Sequence, residues 1–194
     1  MKSLNLNVPD DKAQVFAQEM MALMQKHGVT IENKEVLDSM RPITERVKTF
    51  EDAMEVLGEN HPLVKMFQTL DHTFNEDEHN RHLFAYAKLT IIVAALNEGW
   101  QPTFSDDEYR YYPWFVFYTQ EELDAMDEDE RSRVLGRSYN SANAGAGVAY
   151  SNAYYASSFS YSSYGGRLCF KNRALAEYAG QQFLAIYADF HIGF

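Results

Sequence analysis

The 194-residue chain has a single cysteine, Cys169. One thiol excludes an intrachain disulfide framework and fits a reducing compartment. The chain also lacks basic charge. Its 28 acidic residues outnumber 17 Lys and Arg, giving a net charge of −11. Such a surface repels phosphate backbones, which argues against direct nucleic-acid binding, and it favours solubility. No apolar run approaches the ~20 residues of a membrane span. The longest, Leu89 to Leu96, reads as part of a buried helix, so no membrane partner is expected. The opening MKSLNLNVPDDKAQ has neither the apolar segment nor the cleavage site of a signal peptide, which predicts a cytoplasmic protein.

Catalytic signatures are missing as well. No G-x-S-x-G occurs, and the many serines lie far from any histidine in sequence. AGAGV (Ala144 to Val148) has neither the dinucleotide fingerprint nor the lysine of a phosphate loop, and it reads as a turn between strands. Cys169 falls in an expected buried strand, where a thiol is inert. Asp106, Asp107 and Glu108 form an acidic turn, and adjacent turn carboxylates are normally solvated. The one His/carboxylate cluster is DHTFNEDEHNRH, Asp71 to His82. On a helix, His79 and His82 would lie one turn apart and Glu78 would face His82. His72 or Asp71 would then complete a shell for a divalent cation. There is no HExxH, and acids at a helix start complement its dipole. His72, His79 and His82 are therefore weak metal candidates; no cofactor is implied, and enzymatic activity has no support.

What is present is a succession of helix signals. Pro9 and Asp10 open a helix with Phe16, Met20, Leu23 and Met24 on one face, closed by Gly28. Asn33 to Met40 is a short second helix. Thr49 and Asp52 form a capping box ahead of FEDAMEVLG, and Pro62 starts HPLVKMFQTL. A long core helix is expected from about Glu76 to Asn97, ended by Gly99. RYYPWFVFYT is an aromatic strand whose Pro113 demands an edge or a bulge. Thr119 and Glu122 cap a charged helix over EELDAMDEDERSRVLG. RLCF, Arg167 to Phe170, reads as a short buried strand pairing with the Tyr111 to Phe115 strand. Asn172 caps a last helix striped by Leu175, Ala179, Phe183, Ile186, Tyr187 and Phe190. The order predicts an α+β fold: N-terminal helices and a long central helix on a small antiparallel sheet, closed by a C-terminal helix. Residues 1–75 form a helical region and 76–194 the α+β domain, expected to pack together as one compact unit.

Three segments together, LNEGWQPTF (Leu96 to Phe104), YYPWF (Tyr111 to Phe115) and GGRLCFKNRALAEYAGQQFLAIYADF (Gly165 to Phe190), have a familiar order and spacing. The chain resembles in them an uncharacterised family of proteins carried by phages and prophages of gut Bacteroidota. ERVKTFEDAMEVLG (Glu45 to Gly58) is similar to a segment upstream in the same family. The resemblance covers about two thirds of the chain and implies phage origin, and hence a place in the host cytoplasm or the virion. It transfers no activity and no catalytic residue. The EELDAMDEDERSRVLG segment departs from the family pattern as an insertion.

Between Arg137 and Gly166 the composition shifts to Ser, Ala, Gly, Asn and Tyr. Disordered tracts are poor in aromatics, so two short strands with a phase change near Asn152 to Tyr155 fit better. Tyr, Ser and Asn are also the residues of adaptable recognition surfaces. The candidate binding residues are Tyr150, Asn152, Tyr154, Tyr155, Tyr161 and Tyr164, with Tyr111 and Trp114 on the neighbouring strand. Alternatively, the tyrosines line the core and the serines face water. The expected function is a non-catalytic binding or virion-associated module, taking a protein partner, a small ligand or a glycan. A homo-oligomer is compatible with its edge strand. The alternative is an acidic inhibitor of a host defence system, whose Asp124, Asp127, Glu128, Asp129 and Glu130 imitate phosphates or block a basic surface, or a sponge for nucleotide signals.

Overall fold

Most helices begin where a side chain can accept the first free N–H groups. A computed structural model describes residues 10–28, 41–103, 105, 107–136, 147–157 and 168–192. The chain divides into two compact units, Met1–Arg46 and Val47–Phe194. The helices after Val47 thus belong with the sheet, whereas composition set a boundary at 75. In the first unit lie α1 (Asp10–Lys26) and the one-turn α2 (Ile43–Arg46). Phe16, Met20 and Met24 of α1 are half-buried, but Leu23 is exposed, so the expected stripe is narrower than its sequence suggests. The helix expected over Asn33 to Met40 falls outside the described residues.

The second unit opens with α3 (Phe50–Leu57) and α4 (Pro62–Thr73). The Thr49 hydroxyl accepts from the Asp52 N–H at 3.1 Å, and the Asp52 carboxylate accepts from the Thr49 N–H at 2.8 Å. Together with the Lys48 N–H, these bonds hold the Asp52 carboxyl below its ordinary range. Before α4, Nδ1 of His61 accepts from the Leu63 N–H, and Pro62 occupies the first turn. The central helix α5 (Arg81–Asn97) buries Phe84, Leu89, Ile91, Ile92 and Leu96. Each contributes about 1.5–3 kcal/mol through burial. Edge-to-face contacts run from Phe50 to Phe67 (4.7 Å) and on to Phe84 (6.4 Å), tying α3 and α4 to α5.

Helix α5 starts at Arg81, not near Glu76. Asp77 and Asn80 explain the delay: Asp77 accepts from the N–H groups of His79 and Asn80, and Asn80 accepts from that of Asp77. These local bonds compete with the helical ladder and hold 77–80 as a turn. At the other end the cap is Glu98, itself left-handed at φ 50°, with Gly99 following at φ 86°. Asn97, the last helical residue, is buried. Its amide donates to the Cys169 carbonyl at 2.8 Å and accepts from the Lys171 N–H at 3.0 Å. The Lys171 ammonium meets Glu98 at 3.2 Å. NEGW and RLCFK therefore serve each other: the end of the core helix clamps the segment that leads into the C-terminal helices.

The sheet is antiparallel, with strands in the order β1 (Tyr109–Tyr118), β3 (Gly147–Ser157), β2 (Leu135–Gly136). Two short helices, α6 (Gln120–Ala125) and α7 (Glu128–Ser132), connect β1 to β2. One charged helix was expected there. Asp127 splits it, because its carboxylate caps a new start at the Glu130 N–H, 2.8 Å away. The C-terminal helix is likewise two, α8 (Arg173–Gln182) and α9 (Leu184–Ile192), parted at Phe183. Asn172 caps α8 as its sequence predicts, at 2.9 Å from the Leu175 N–H. Tyr178 and Gln182 tie α8 to the carbonyls of Val47 and Lys48, both at 2.7 Å. Helix α9 closes on α5, where Phe190 stacks on Tyr86 at 5.9 Å. The fold is α+β, helices on a small antiparallel sheet with a helix closing the C-terminal end.

The candidate aromatic face

Among the described residues of the Tyr/Ser-rich segment, Gly147–Ser157 runs as one bulged strand, the middle of the sheet. Register against β1 runs from Tyr109 with Ser157 to Trp114 with Asn152, then resumes at Phe115 with Tyr150. Ser151 is the extra residue of a β-bulge. This is the phase change, slightly upstream of its expected place. RLCF meets the opposite edge of β1 through a single bridge, in which Tyr111 and Phe170 exchange hydrogen bonds of 3.0 and 2.7 Å. Since the Tyr111 N–H points away from β3, the Pro113 nitrogen two residues on does too, and its missing N–H costs no ladder bond. Leu168 and Phe170 are buried, as expected.

The pleat and the bulge then sort the side chains onto two faces. Pro113, Phe115, Phe117, Val148, Tyr150 and Ala153 share the inner one. Phe115 lies 4.8 Å from the Tyr187 ring and 5.5 Å from His191. Helix α8 approaches so closely that a β-carbon on Gly180 would stand 2.5 Å from the Tyr150 ring and 2.7 Å from Pro113. Tyr150 is thus half-buried scaffold and leaves the candidate list as a surface residue. Burial raises its phenol above the ordinary range. His191, packed among Phe115, Phe117, Tyr187 and Phe190, is pushed down to about 4 by burial. Cys169 is buried and its thiol is pushed up to about 11, mainly by burial, so it is no nucleophile at neutral pH.

The outer face carries Tyr112, Trp114, Val116, Asn152 and Tyr154. Trp114 is 48 % exposed and Tyr154 is 54 % exposed. Their rings lie 6.2 Å apart, and Tyr112 lies 6.1 Å from Tyr154. Burial, then the neighbouring Tyr154, raise the Tyr112 phenol. Tyr155 belongs to the inner set but stands past the helical cover, 46 % exposed. It meets Tyr109 edge-on at 5.1 Å and stacks with Tyr154 at 5.9 Å. Arg173 covers this end. Its guanidinium donates to the Ala153 carbonyl at 2.6 Å and sits 5.9 and 6.0 Å from the Tyr111 and Tyr155 rings.

The structure thus brings together Tyr111, Trp114, Asn152, Tyr154 and Tyr155, and separates Tyr150 from them. Tyr161 and Tyr164 lie outside the described residues, as does Asp106. Tyr112 and Val116 join the outer face, and Tyr109 and Arg173 stand beside Tyr111 and Tyr155 at its end, although sequence did not single them out. Alternation from Tyr111 would have found Tyr109, whereas nothing local marks Arg173. The histidine cluster does not assemble: His79 stands in the turn before α5, its side chain 84 % exposed, and His72 is exposed in the last turn of α4. Among the described residues no three His, Cys, Asp or Glu side chains converge on a metal position. The crevice between Tyr112, Pro113, Leu168, Tyr187 and His191 is of water size and cannot hold an organic ligand. Among the described residues no helix is long and apolar enough to cross a membrane. Comparisons with protein-family models, curated proteins and solved structures find no match to this chain.

Proposed function

We propose that the chain is a non-catalytic binding protein of phage origin, with the outer face of the β1–β3 sheet as its working surface. The carrying observation is the exposure of Trp114 and Tyr154 side by side on the outer face of a rigid strand pair. Large rings held in water lose apolar stabilisation that a partner can restore, and they enter an interface with little rotamer entropy to lose. Phage origin is supported by the NEGW, YYPWF and RLCFK segments, which in this chain hold one another in place through Asn97, Glu98 and the Tyr111–Phe170 bridge. Their family resemblance therefore follows residues that hold the scaffold together, with Trp114 of YYPWF also on the outer face.

The test is retention from an extract of infected host cells on immobilised protein, compared with a Trp114→Ser/Tyr154→Ser variant. The expected result is a virion or host protein, identified by mass spectrometry, that the native chain retains and the variant loses. Equal retention by both would remove the outer face from the function.

A further inference from the structure

We infer that the outer aromatic face receives a basic, arginine-bearing surface of a protein partner. The inference rests on the reading of that face as a binding surface and adds the chemistry of its occupant. At one end of the outer face Arg110 is buried, 2 % exposed. At the other, Gly147 pairs with Tyr118, and a β-carbon there would stand 2.7 Å from Val134 and 3.2 Å from Leu123. Leu123 belongs to α6 and Val134 follows α7, so the α6–α7 hairpin lies over this end of the outer face. Ala149, next along β3 on the same face, is buried accordingly. The Arg131 guanidinium donates to the Leu123 carbonyl at 3.2 Å and joins the two helices.

The hairpin is strongly acidic. Glu121, Glu122, Asp124, Asp127, Glu128, Asp129 and Glu130 are all exposed, against Arg131 and Arg133, which pair with Asp124 and Asp129 within the hairpin. An apolar floor of Trp114, Val116 and Tyr154 is therefore walled by negative charge, within a chain of net charge −11. That combination selects for guanidinium. Arginine stacks flat on indole and phenol rings and pairs with carboxylates, whereas a polyanion is repelled by the wall. The chain contains its own example at the neighbouring end, where Arg173 lies between Tyr111 and Tyr155.

The probe is fluorescein-labelled nona-arginine, titrated by anisotropy, with nona-lysine and neutral cellohexaose as comparisons. The Trp114 indole N–H resonance, assigned by its loss in Trp114→Ser, reports where binding occurs. Nona-arginine should shift that resonance and bind more tightly than nona-lysine, with an affinity that falls as salt is raised. Trp114→Ser/Tyr154→Ser, which leaves the net charge unchanged, should weaken binding by about tenfold. Glu121→Gln/Glu128→Gln/Glu130→Gln, which spares the capping Glu122 and Asp127, should weaken it by about three- to tenfold. The inference falls if the aromatic double variant binds nona-arginine as well as the native chain does, since bulk charge then suffices. It also falls if nona-arginine does not bind. A shift of Trp114 by cellohexaose alone would assign the face to a glycan, overturning the basic partner while leaving the binding surface standing.

Discussion

Trp114 and Phe115 are neighbours in sequence and opposites in structure. Phe115 is buried among Tyr150, Tyr187 and His191, whereas Trp114 is half in water on the other side of the same strand. The inner face is a packed layer under α8 and α9, whereas the outer face leaves Trp114, Val116 and Tyr154 exposed between Arg110 and Ala149, both buried. Both faces are aromatic, so hydrophobicity alone does not distinguish core from surface here. What distinguishes them is which helices the connections lay against each side.

The sharpest way to break this comparison is Phe115→Ala, which should cost about 3–5 kcal/mol of stability because the cavity is enclosed by rings that cannot collapse into it. Chemical denaturation would measure it, and a loss below about 1 kcal/mol would mean the inner face is not packed as described. Next comes pH. The imidazole of His191 is neutral in the fold and has a depressed pKa of about 4, while the unfolded chain takes up a proton near 6.5. Stability from this group is full above pH 6.5 and is lost as pH falls toward 4, by up to about 3 kcal/mol. Denaturation curves of the native chain and His191→Leu should diverge across that window; parallel curves would remove the histidine from the inner layer.

Gly180→Ala tests the approach of α8. Its methyl group must displace Tyr150 and Pro113, at a cost of about 1–3 kcal/mol despite alanine's better helix propensity. A thermal melt unchanged or raised by the substitution would contradict the contact. The smallest effect should come from the outer face, where Trp114→Ser changes stability by no more than about 0.5 kcal/mol. A loss as large as that of Phe115→Ala would show Trp114 to be covered, and the comparison would collapse.

Much of this architecture is written locally. Thr49, Thr119 and Asn172 announce their helices because a side-chain oxygen three residues ahead of a free N–H is visible in sequence. The apolar run after Leu83 likewise announces the core helix. Sequence misleads where two local signals compete: Asp77 with Asn80 delays α5, and Asp127 breaks a helix that composition alone would continue. The sheet order was not legible, because β2 contributes only Leu135 and Gly136 and carries no periodicity. The candidate face was half legible. Trp114, Asn152, Tyr154 and Tyr155 stand out by type, but removing Tyr150 and adding Arg173 required knowing what α8 covers.

Ser151 has a consequence for how this surface can change over generations. Because one unpaired residue sets the phase between Gly147–Tyr150 and Asn152–Ser157, losing it would rotate every later side chain of the strand by half a turn. Tyr154 would turn toward the helices and Ala153 toward solvent. A single codon gained or lost at this point therefore rewrites the displayed surface wholesale, while leaving the clamp between Asn97 and the Cys169–Lys171 segment untouched.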